Sequence, residues 1–423
     1  MAANSLKGGE NGATVPASTG QDSVFDQIRQ FNSDRDPKLL RLKYRGMDAG
    51  PFAFFRGTDH LFARAWPWFK PSDVGPDVLL SGDLHLENFG AYRGEDGVFR
   101  YDINDFDESV IGPSSFDLVR CATSTLLAAE DWKLSPVTAA QILWNYLASY
   151  RIAMEVMART GQQGELTLAI AEGAIAKLLG ATSLGSQAAL LRELTERVGG
   201  RRRIVRGKKH PKVDTAIGEQ VKHAVEECGA RRGEAAAYQV LDVTRRVAGI
   251  GSLGVRRYAT LVDGGGTKTT HRLLDLKQQG RPSILACSPA RQPHFDNEAQ
   301  RVVAAQRQLQ ARPAAGLDTI KIGQDWFRMR ELVPDENRSG LERLAHKPSK
   351  LRDAVEVAGR ITAWSHWRGT GGEPRPQQEL LRWSAGPGVE AVIPAAIRYA
   401  AQTLVDYKAF HAAYQSDLGR SGK

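Results

Sequence analysis

The sequence predicts an α+β protein with two lobes, one mainly helical and the other built around a small antiparallel sheet. Three observations predict this class. Apolar residues recur at spacings of three and four between Phe116 and about Leu194, as they do in amphipathic helices. Residues 238–278 instead contain three β-branched and apolar runs joined by glycine-rich turns. From Pro348 onward the helical spacing returns.

This pattern divides the 423 residues into four parts. Residues 1–22 lack an apolar core and are expected to form a disordered tail. Residues 23–235 are expected to form a helical lobe, and residues 236–335 a β-rich lobe. Residues 336–423 are expected to be C-terminal helices that complete the helical lobe.

Local patterns predict the elements of the first part in order. Residues 22–47 mix charges with a helical apolar face, which indicates helix. The aromatic run 51–69 is bounded by prolines and is expected to be a buried strand pair or a packed loop. Residues 77–80 and 98–105 are expected to be two strands, with "GAYRGEDG" (90–97) as the turn between them.

The later elements are predicted in the same way. The basic, glycine-flanked stretch 199–212 is expected to be an exposed loop, and residues 215–228 a helix. After the three strands of the β-rich part, residues 297–311 indicate another helix. Residues 318–332 then indicate a further strand pair.

Composition narrows the class of protein and of partner. The formal charge of +9 and the pI of about 9.4 favour anionic partners. The three cysteines stand far apart in the sequence and suggest no disulfide framework, so we expect a reducing, cytoplasmic location. No apolar run is long enough to cross a bilayer.

An acidic segment carries the strongest functional signal. Asp83 and Asn88 stand in a D-x-x-x-x-N arrangement directly after a predicted strand, and Asp105 follows the next one. In phosphoryl transfer an aspartate orients the attacking hydroxyl, while an asparagine and a second aspartate hold Mg²⁺ on the nucleotide phosphates. These hard oxygen ligands suit Mg²⁺. The spacing predicts that all three side chains meet at one cavity.

The segments "GDLHLENFG", "YDINDFDES" and "GPSSFDLVR" resemble the catalytic core of aminoglycoside phosphotransferases and other protein-kinase-like enzymes. This resemblance implies that Asp83 is the catalytic base and that Asn88 and Asp105 are metal ligands. It also implies that Asp117, at the head of the next helix, braces the catalytic loop. Asp107 stands where such enzymes have glycine, and it is a further candidate ligand.

A second resemblance extends along the whole chain. The segments "PFAFFRG", "GDLHLENFG", "DFDES" and "GIGSLG" are similar to landmarks of a bacterial family known only as a domain of unknown function. That family is thought to be kinase-like.

The candidate nucleotide-binding segment lies much later in the chain. Gly249, Gly251 and Gly254 form a G-x-G-x-x-G pattern between two predicted strands, and Lys277 lies on a third strand. Because a strand follows the glycines, a dinucleotide-binding fold is disfavoured. The order is that of the kinase ATP lobe, which implies that the glycines and Lys277 hold phosphates and that Glu298 is the carboxylate partner of Lys277. A plain glycine-rich hairpin is the alternative.

The two assignments together imply a protein-kinase-like two-lobe fold in circularly permuted order, because the catalytic loop precedes the ATP lobe. Residues 321–332 would then be the hinge between lobes. The expected reaction is Mg²⁺-dependent transfer of the γ-phosphoryl group of ATP to the hydroxyl of an unidentified acceptor.

Three other functions stay open. Asp83-Leu84-His85 is a D-x-H that could open the two-metal site of a phosphoesterase, although the chain has no H-x-H. The protein could instead bind nucleotide without turnover. Finally, the basic residues 201–212 could contact nucleic acid, although aromatic interleaving is absent there.

Overall fold

The protein is an α+β structure in which long helices surround small antiparallel sheets. The computed structural model describes residues 23–265, 271–286, 288–332 and 341–421. The predicted tail, residues 1–22, lies outside the described residues. The helices are α1 (Val24–Phe31), α2 (Pro37–Met47), α3 (Pro51–Arg56), α4 (Asp59–Phe69), α5 (Ser115–Asp131), α6 (Pro136–Thr160), α7 (Gly173–Leu194), α8 (Thr215–Arg231), α9 (Glu298–Leu309), α10 (Pro348–Gly369), α11 (Pro374–Ala385) and α12 (Val392–Ser421). The strands are β1 (Asp77–Leu79), β2 (Phe89–Arg93), β3 (Phe99–Ile103), β4 (Ile111–Pro113), β5 (Thr195–Val198), β6 (Arg201–Ile204), β7 (Val240–Arg245), β8 (Arg257–Val262), β9 (Arg272–Gln278), β10 (Asp318–Ile322) and β11 (Asp325–Glu331).

The larger hydrophobic core lies among α4, α5, α6, α10 and α12. Helices from the early and the late parts of the chain share this core. Ser135 and Pro136 begin α6 with a side-chain cap and a proline in the first turn. The pair α6 and α10 packs especially closely, because Gly359 brings the two backbones together.

The aromatic run after Pro51 is helical, so the expectation of a strand pair or loop is wrong. Phe62, Trp66 and Phe69 recur at spacings of four and three along α4, and all three are buried. They pack against Tyr399 of α12 and Phe116 of α5. The helical period was hidden because aromatic residues also occupy neighbouring positions that face other partners.

The early strands pair differently from the prediction. β1 pairs with β4, and β2 pairs with β3, so residues 77–80 and 98–105 are not a hairpin. The expected turn at residues 90–97 is strand up to Arg93. Both faces of β2 are buried, since four of its five residues are buried. The alternation of buried and exposed residues that marks a strand is therefore absent.

Residues 240–331 form a five-stranded antiparallel sheet with strand order β10-β11-β9-β8-β7. Its two faces differ sharply. Leu274, Leu276 and Met329 pack in a second core together with α8. The alternate residues of the same strands, which are mostly charged, face the other side.

Two further segments depart from the prediction. Part of the basic stretch 199–212 is strand, because β6 pairs with β5. Residues 321–332 lie mostly in the strands β10 and β11 of the sheet rather than in a connector between lobes. Among the described residues, no helix has the length and apolarity needed to cross a membrane.

The close packing of α6 and α10 gives a stability prediction. A Cβ at Gly359 would lie 2.2 Å from both the carbonyl oxygen of Tyr146 and Oγ of Ser149. We expect Gly359→Ala to lower the free energy of unfolding by about 1–3 kcal/mol, because the two helices must separate. Urea unfolding followed by circular dichroism measures this.

Gly218→Ala in α8 is the matched control, because its Cβ would meet only Val213 Cγ1 at 3.4 Å. Alanine there should raise stability by about 0.5–1 kcal/mol. Equal effects of the two substitutions would contradict the packing argument.

Candidate active site

The acidic segment is held in a fixed turn by the first turn of α5. The carboxylate of Asp117 accepts hydrogen bonds from the backbone N–H groups of Ser81 and Gly82, each at 2.9 Å. Gly82 has φ +89°, and a Cβ there would lie 2.0 Å from the carbonyl oxygen of Glu108. The turn therefore needs both this glycine and this aspartate, and Asp117 braces the loop at the position that the sequence predicted.

The side chain of Asn88 closes the same loop. Its Nδ2 donates to the carbonyl oxygen of Asp83 at 2.6 Å. His85 accepts from the N–H of Glu87 through Nδ1 and caps the short 3₁₀ turn, so it stiffens the loop. Asn88 also lines the cavity.

Asp83 itself contacts a buried arginine that sequence reasoning missed. Nε and an Nη atom of Arg120 lie 2.9 and 2.8 Å from Oδ1 of Asp83. Arg120 also lies 3.1 Å from Asp59 and stacks on the ring of Phe55. Burial raises the pKa of Asp83 above its usual value, although Arg120 opposes this shift. The signal for Arg120 was a lone arginine within the apolar face of a predicted helix.

The hairpin of β2 and β3 carries Asp105 to the same cavity as Asp83 and Asn88. Lys277, near the end of β9, lines this cavity from the sheet side. Its Nζ contacts Asp107 directly and lies 3.6 Å from Oδ2 of Asp105. Two segments about 170 residues apart in the sequence therefore meet through this ion pair.

The predicted partner of Lys277 is corrected by these contacts. Glu298 pairs with Arg301 at 2.6 Å and lines a different cavity. The guanidinium of Arg301 in turn donates to the carbonyl oxygen of Asp107. Sequence spacing could not find this, because the early aspartates reach Lys277 from a distant part of the chain and take the place that α9 was expected to fill.

The glycine segment reaches the cavity in part. Gly249 and Gly251 line it, whereas Gly254 does not. Gly254 has φ +95°, and a Cβ there would lie 2.6 Å from Cβ of Arg35. Glycine at this position therefore lets the segment before α2 approach the glycine segment closely. The carbonyl oxygen of Gly251 accepts from Arg35 at 2.7 Å and from Lys43 at 3.0 Å.

Lys43 was also missed by sequence reasoning. Its side chain is 1% exposed, and its ammonium lies between the glycine segment and the cavity. Burial lowers the pKa of Lys43 well below its usual value, and Arg35 adds to this effect. The helices before Asp83 thus form a third wall of the cavity, which no motif indicated.

Charged side chains dominate the sheet wall. Arg257 binds both oxygens of Asp275 at 2.6 Å, and Arg246 and Arg328 approach the same carboxylate at 3.3 and 3.4 Å. Arg330 lines the cavity beside them. A sequence signal existed, because arginines alternate with apolar residues in "DWFRMRE", but it was read only as a strand.

The oxygen atoms at the acidic wall fit a hard cation. Oδ1 of Asp105, Oδ1 of Asp107 and Oδ1 of Asn104 are buried and accept no hydrogen bond from the described residues. Together with the amide oxygen of Asn88 they form an oxygen-only donor set, which Mg²⁺ prefers. Within the described ranges, no group of three or more His, Cys, Asp and Glu side chains has the arrangement of a metal cluster.

The cations of the sheet wall change the charge state of the acidic wall. Burial alone would raise the pKa of Asp105, but Lys277, Arg328 and Arg330 hold it below its usual range. The pKa of Glu108 shifts in the opposite direction. Burial raises its pKa to about 7, with Asp83 contributing and a hydrogen bond from Ser283 opposing.

The chain belongs to a bacterial family, since residues 35–413 match the model described as "Uncharacterized protein conserved in bacteria (DUF2252)". The resemblance to a family of unknown function is thereby confirmed. Neither the curated proteins nor the solved structures contain a match to the chain. The site must therefore be interpreted from its own geometry.

The raised pKa of Glu108 gives a pH-dependent stability prediction. Because its folded-state pKa of about 7 exceeds the ordinary 4.5, the contribution of Glu108 to stability is full below pH 4.5 and falls as pH rises through 7. We expect Glu108→Gln to be neutral at pH 4.5 and to stabilise by about 1–2 kcal/mol at pH 8. Urea unfolding at both values measures this, and a pH-independent effect would contradict it.

Proposed function

We propose that the protein is a kinase-like phosphotransferase that moves the γ-phosphoryl group of ATP to an acceptor hydroxyl with Mg²⁺. One observation carries the proposal. Asp83, Asn88 and Asp105 line the same cavity as Lys277 and the glycine segment, although the sequence separates them widely. Phosphoryl transfer requires this combination of a hydroxyl-orienting carboxylate, metal ligands and phosphate-binding cations.

The order of elements in the sheet also supports the proposal. A strand, a glycine segment, a second strand, a lysine strand and then the helix α9 follow one another in residues 240–309. This is the order of the kinase ATP lobe that the resemblance implies. With the acidic segment earlier in the chain, the arrangement is a circular permutation of the kinase plan, which is feasible where termini lie at the surface.

Asp83 and Lys277 have defined roles in the proposed reaction. Arg120 contacts only Oδ1 of Asp83, so Oδ2 can accept the hydrogen bond of an acceptor hydroxyl. The hydroxyl oxygen bonds to the γ-phosphorus while the bond from that phosphorus to the β–γ bridging oxygen breaks. ADP leaves, and the hydroxyl proton passes to Asp83. Lys277 neutralises negative charge on the phosphates.

The metal would be held by Asp105 and Asn88, with Asn104 and Asp107 near enough to add oxygen ligands. When bound, Mg²⁺ supplies positive charge that offsets the charge of the phosphates. Asn88 also fixes the main chain at Asp83, so its substitution affects both the loop and the metal ligand set.

The competing functions have less support. A two-metal phosphoesterase needs a cluster of histidine and carboxylate ligands, and the described residues contain no such group. Binding without turnover would give Asp83 no role beyond its ion pair with Arg120, at a cavity that faces the candidate phosphate-binding cations. Transfer from ATP therefore accounts for more of the cavity than either alternative.

Substitution of Asp83 tests the proposed base. The amide oxygen of asparagine can still accept from Arg120, so we expect Asp83→Asn to fold and to bind nucleotide. Turnover should fall by about 10²–10⁴-fold, because the amide cannot take the hydroxyl proton. ATP consumption and the ligand-induced rise in melting temperature measure the two effects separately.

Asp242→Asn is the matched control. Asp242, on β7, pairs with Arg206 and does not line the cavity. That variant should retain wild-type turnover. Full activity of Asp83→Asn would remove the base assignment.

The charges around Asp105 predict coupled binding of metal and nucleotide. Lys277, Arg328 and Arg330 repel a cation in the free protein, and nucleotide phosphates neutralise them. Titration calorimetry should therefore show Mg²⁺ binding at least about tenfold tighter to the nucleotide complex than to the free protein. Equal Mg²⁺ affinity in both states would contradict the assignment of Asp105.

A panel of ATP, GTP and NAD, each with and without Mg²⁺, identifies the nucleotide by melting temperature.

A further inference from the structure

The brace at Asp117 has a support of its own, which comes from the helices α6 and α10. The carboxylate of Asp117 is buried, and its two oxygens accept hydrogen bonds from the main-chain N–H groups of Ser81 and Gly82. These bonds hold the turn before Asp83 only if the carboxylate itself is fixed. A buried carboxylate is also ordinarily paired with a group that can carry positive charge.

The imidazole of His366, on α10, supplies this support. Its Nε2 lies 3.5 Å from Oδ2 of Asp117, and each of the two side chains is 1% exposed. In the part of the chain that the structure describes, His366 is the basic residue that lies within 4.0 Å of this carboxylate, and its Nε2 has no shorter hydrogen bond to another group. Because buried N–H donors ordinarily have partners, we infer that Nε2 directs its proton to Asp117.

The other nitrogen of the ring is held from α6. Nδ1 of His366 lies 3.0 Å from the hydroxyl oxygen of Tyr150, which is completely buried. An ionised carboxylate can only accept, so Nε2 carries the proton that faces Asp117, and in a neutral imidazole Nδ1 is then an acceptor. The O–H of Tyr150 therefore donates to Nδ1, and this bond selects the Nε2–H tautomer of His366.

The end of α10 also contacts the strand that leads into the acidic segment. A Cβ at Gly369 would lie 2.4 Å from the carbonyl oxygen of Leu79, the last residue of β1, so helix and strand touch through their backbones. His366 precedes this contact by about one helical turn. The backbone that carries His366 is thereby fixed relative to the strand from which the acidic segment continues.

We propose that Tyr150 and His366 are positioning residues for Asp83 and that they act through Asp117. The contacts run from the Tyr150 hydroxyl through the imidazole to the carboxylate, and from there to the turn before Asp83. Without the hydroxyl, Nδ1 has no partner and the Nδ1–H tautomer becomes accessible, in which the lone pair of Nε2 faces the carboxylate. The turn then loosens, and Asp83 loses its orientation towards the acceptor hydroxyl. Only this last step rests on the proposed function.

Two buried tyrosines of α6 allow a matched test. Tyr150→Phe removes the hydroxyl that contacts His366. Tyr146→Phe is the control, because the hydroxyl of Tyr146 lies 3.1 Å from Oγ1 of Thr362 on the same helix α10. Each change removes a buried hydrogen bond between the same two helices, so we expect similar falls in melting temperature.

Two measurements on the protein without ligand do not depend on the proposed reaction. Nitrogen NMR of the His366 ring should show the Nε2–H tautomer in the wild type and in Tyr146→Phe, and a shift towards Nδ1–H in Tyr150→Phe. Hydrogen exchange at the amides of Ser81 and Gly82 should be about tenfold faster in Tyr150→Phe than in the control. A proton on Nδ1 in the wild type, or equal exchange in the two variants, would overturn the proposal.

ATP consumption connects this positioning to the proposed reaction. Tyr150→Phe should lower kcat about tenfold and leave the KM for ATP unchanged, because the phosphate-binding cations stay in place. Tyr146→Phe should keep the wild-type kcat, and an equal fall in both variants would show that Tyr150 is only structural and would overturn the proposal. If the wild type does not consume ATP but the NMR and exchange results are as expected, the proposed function fails and the support of the turn stands.

Discussion

The contact of Lys277 with Asp105 and Asp107 is the interaction on which the cavity depends. It joins a sheet formed by residues 240–331 to a hairpin that ends before residue 110, and the apolar residues of these two parts pack in separate cores. Arg93 with Glu331, and Arg330 with the carbonyl oxygen of Asn104, also join the two parts. The Lys277 side chain is 5% exposed, so loss of its partners would leave a buried charge at a cost of about 3–5 kcal/mol. The same contact sets where phosphates and metal can meet, so fold and proposed chemistry share one constraint.

Opposite charges are divided between the walls of this cavity. Apart from Asp275 of the sheet, the carboxylates come from residues 59–108, whereas the cations come from the sheet, its glycine segment and residues 35–56. Lys43 shows the consequence, since its ammonium is held by the carbonyl oxygens of Ile250 and Gly251 rather than by a carboxylate. The first helices thereby fix the glycine segment against the sheet. A polyanion with a bound cation complements these walls better than a neutral ligand does.

The sequence was informative where chemistry is local. The spacing of Asp83, Asn88 and Asp105, the brace by Asp117 and the strands around Lys277 could all be predicted, because each depends on a few neighbouring residues. The partner of Lys277 could not be predicted, since it comes from a contact across about 170 residues. Arg120 and Lys43 were hidden for a related reason: a buried charged residue resembles a surface residue until its partners are known. The helices in the aromatic run 51–69 were not predicted, because buried residues on several faces hide the helical period.

The central claim is that one metal–nucleotide complex contacts both the early acidic segment and the late sheet. A crystal structure with Mn²⁺ and a non-hydrolysable ATP analogue tests it most directly, because the anomalous signal of Mn²⁺ locates the metal. We predict a peak within bonding distance of Asp105 and Asn88, with the nucleotide phosphates in contact with Lys277. A nucleotide bound outside this cavity, or phosphates that approach the sheet while the metal lies away from Asp105, would contradict the account.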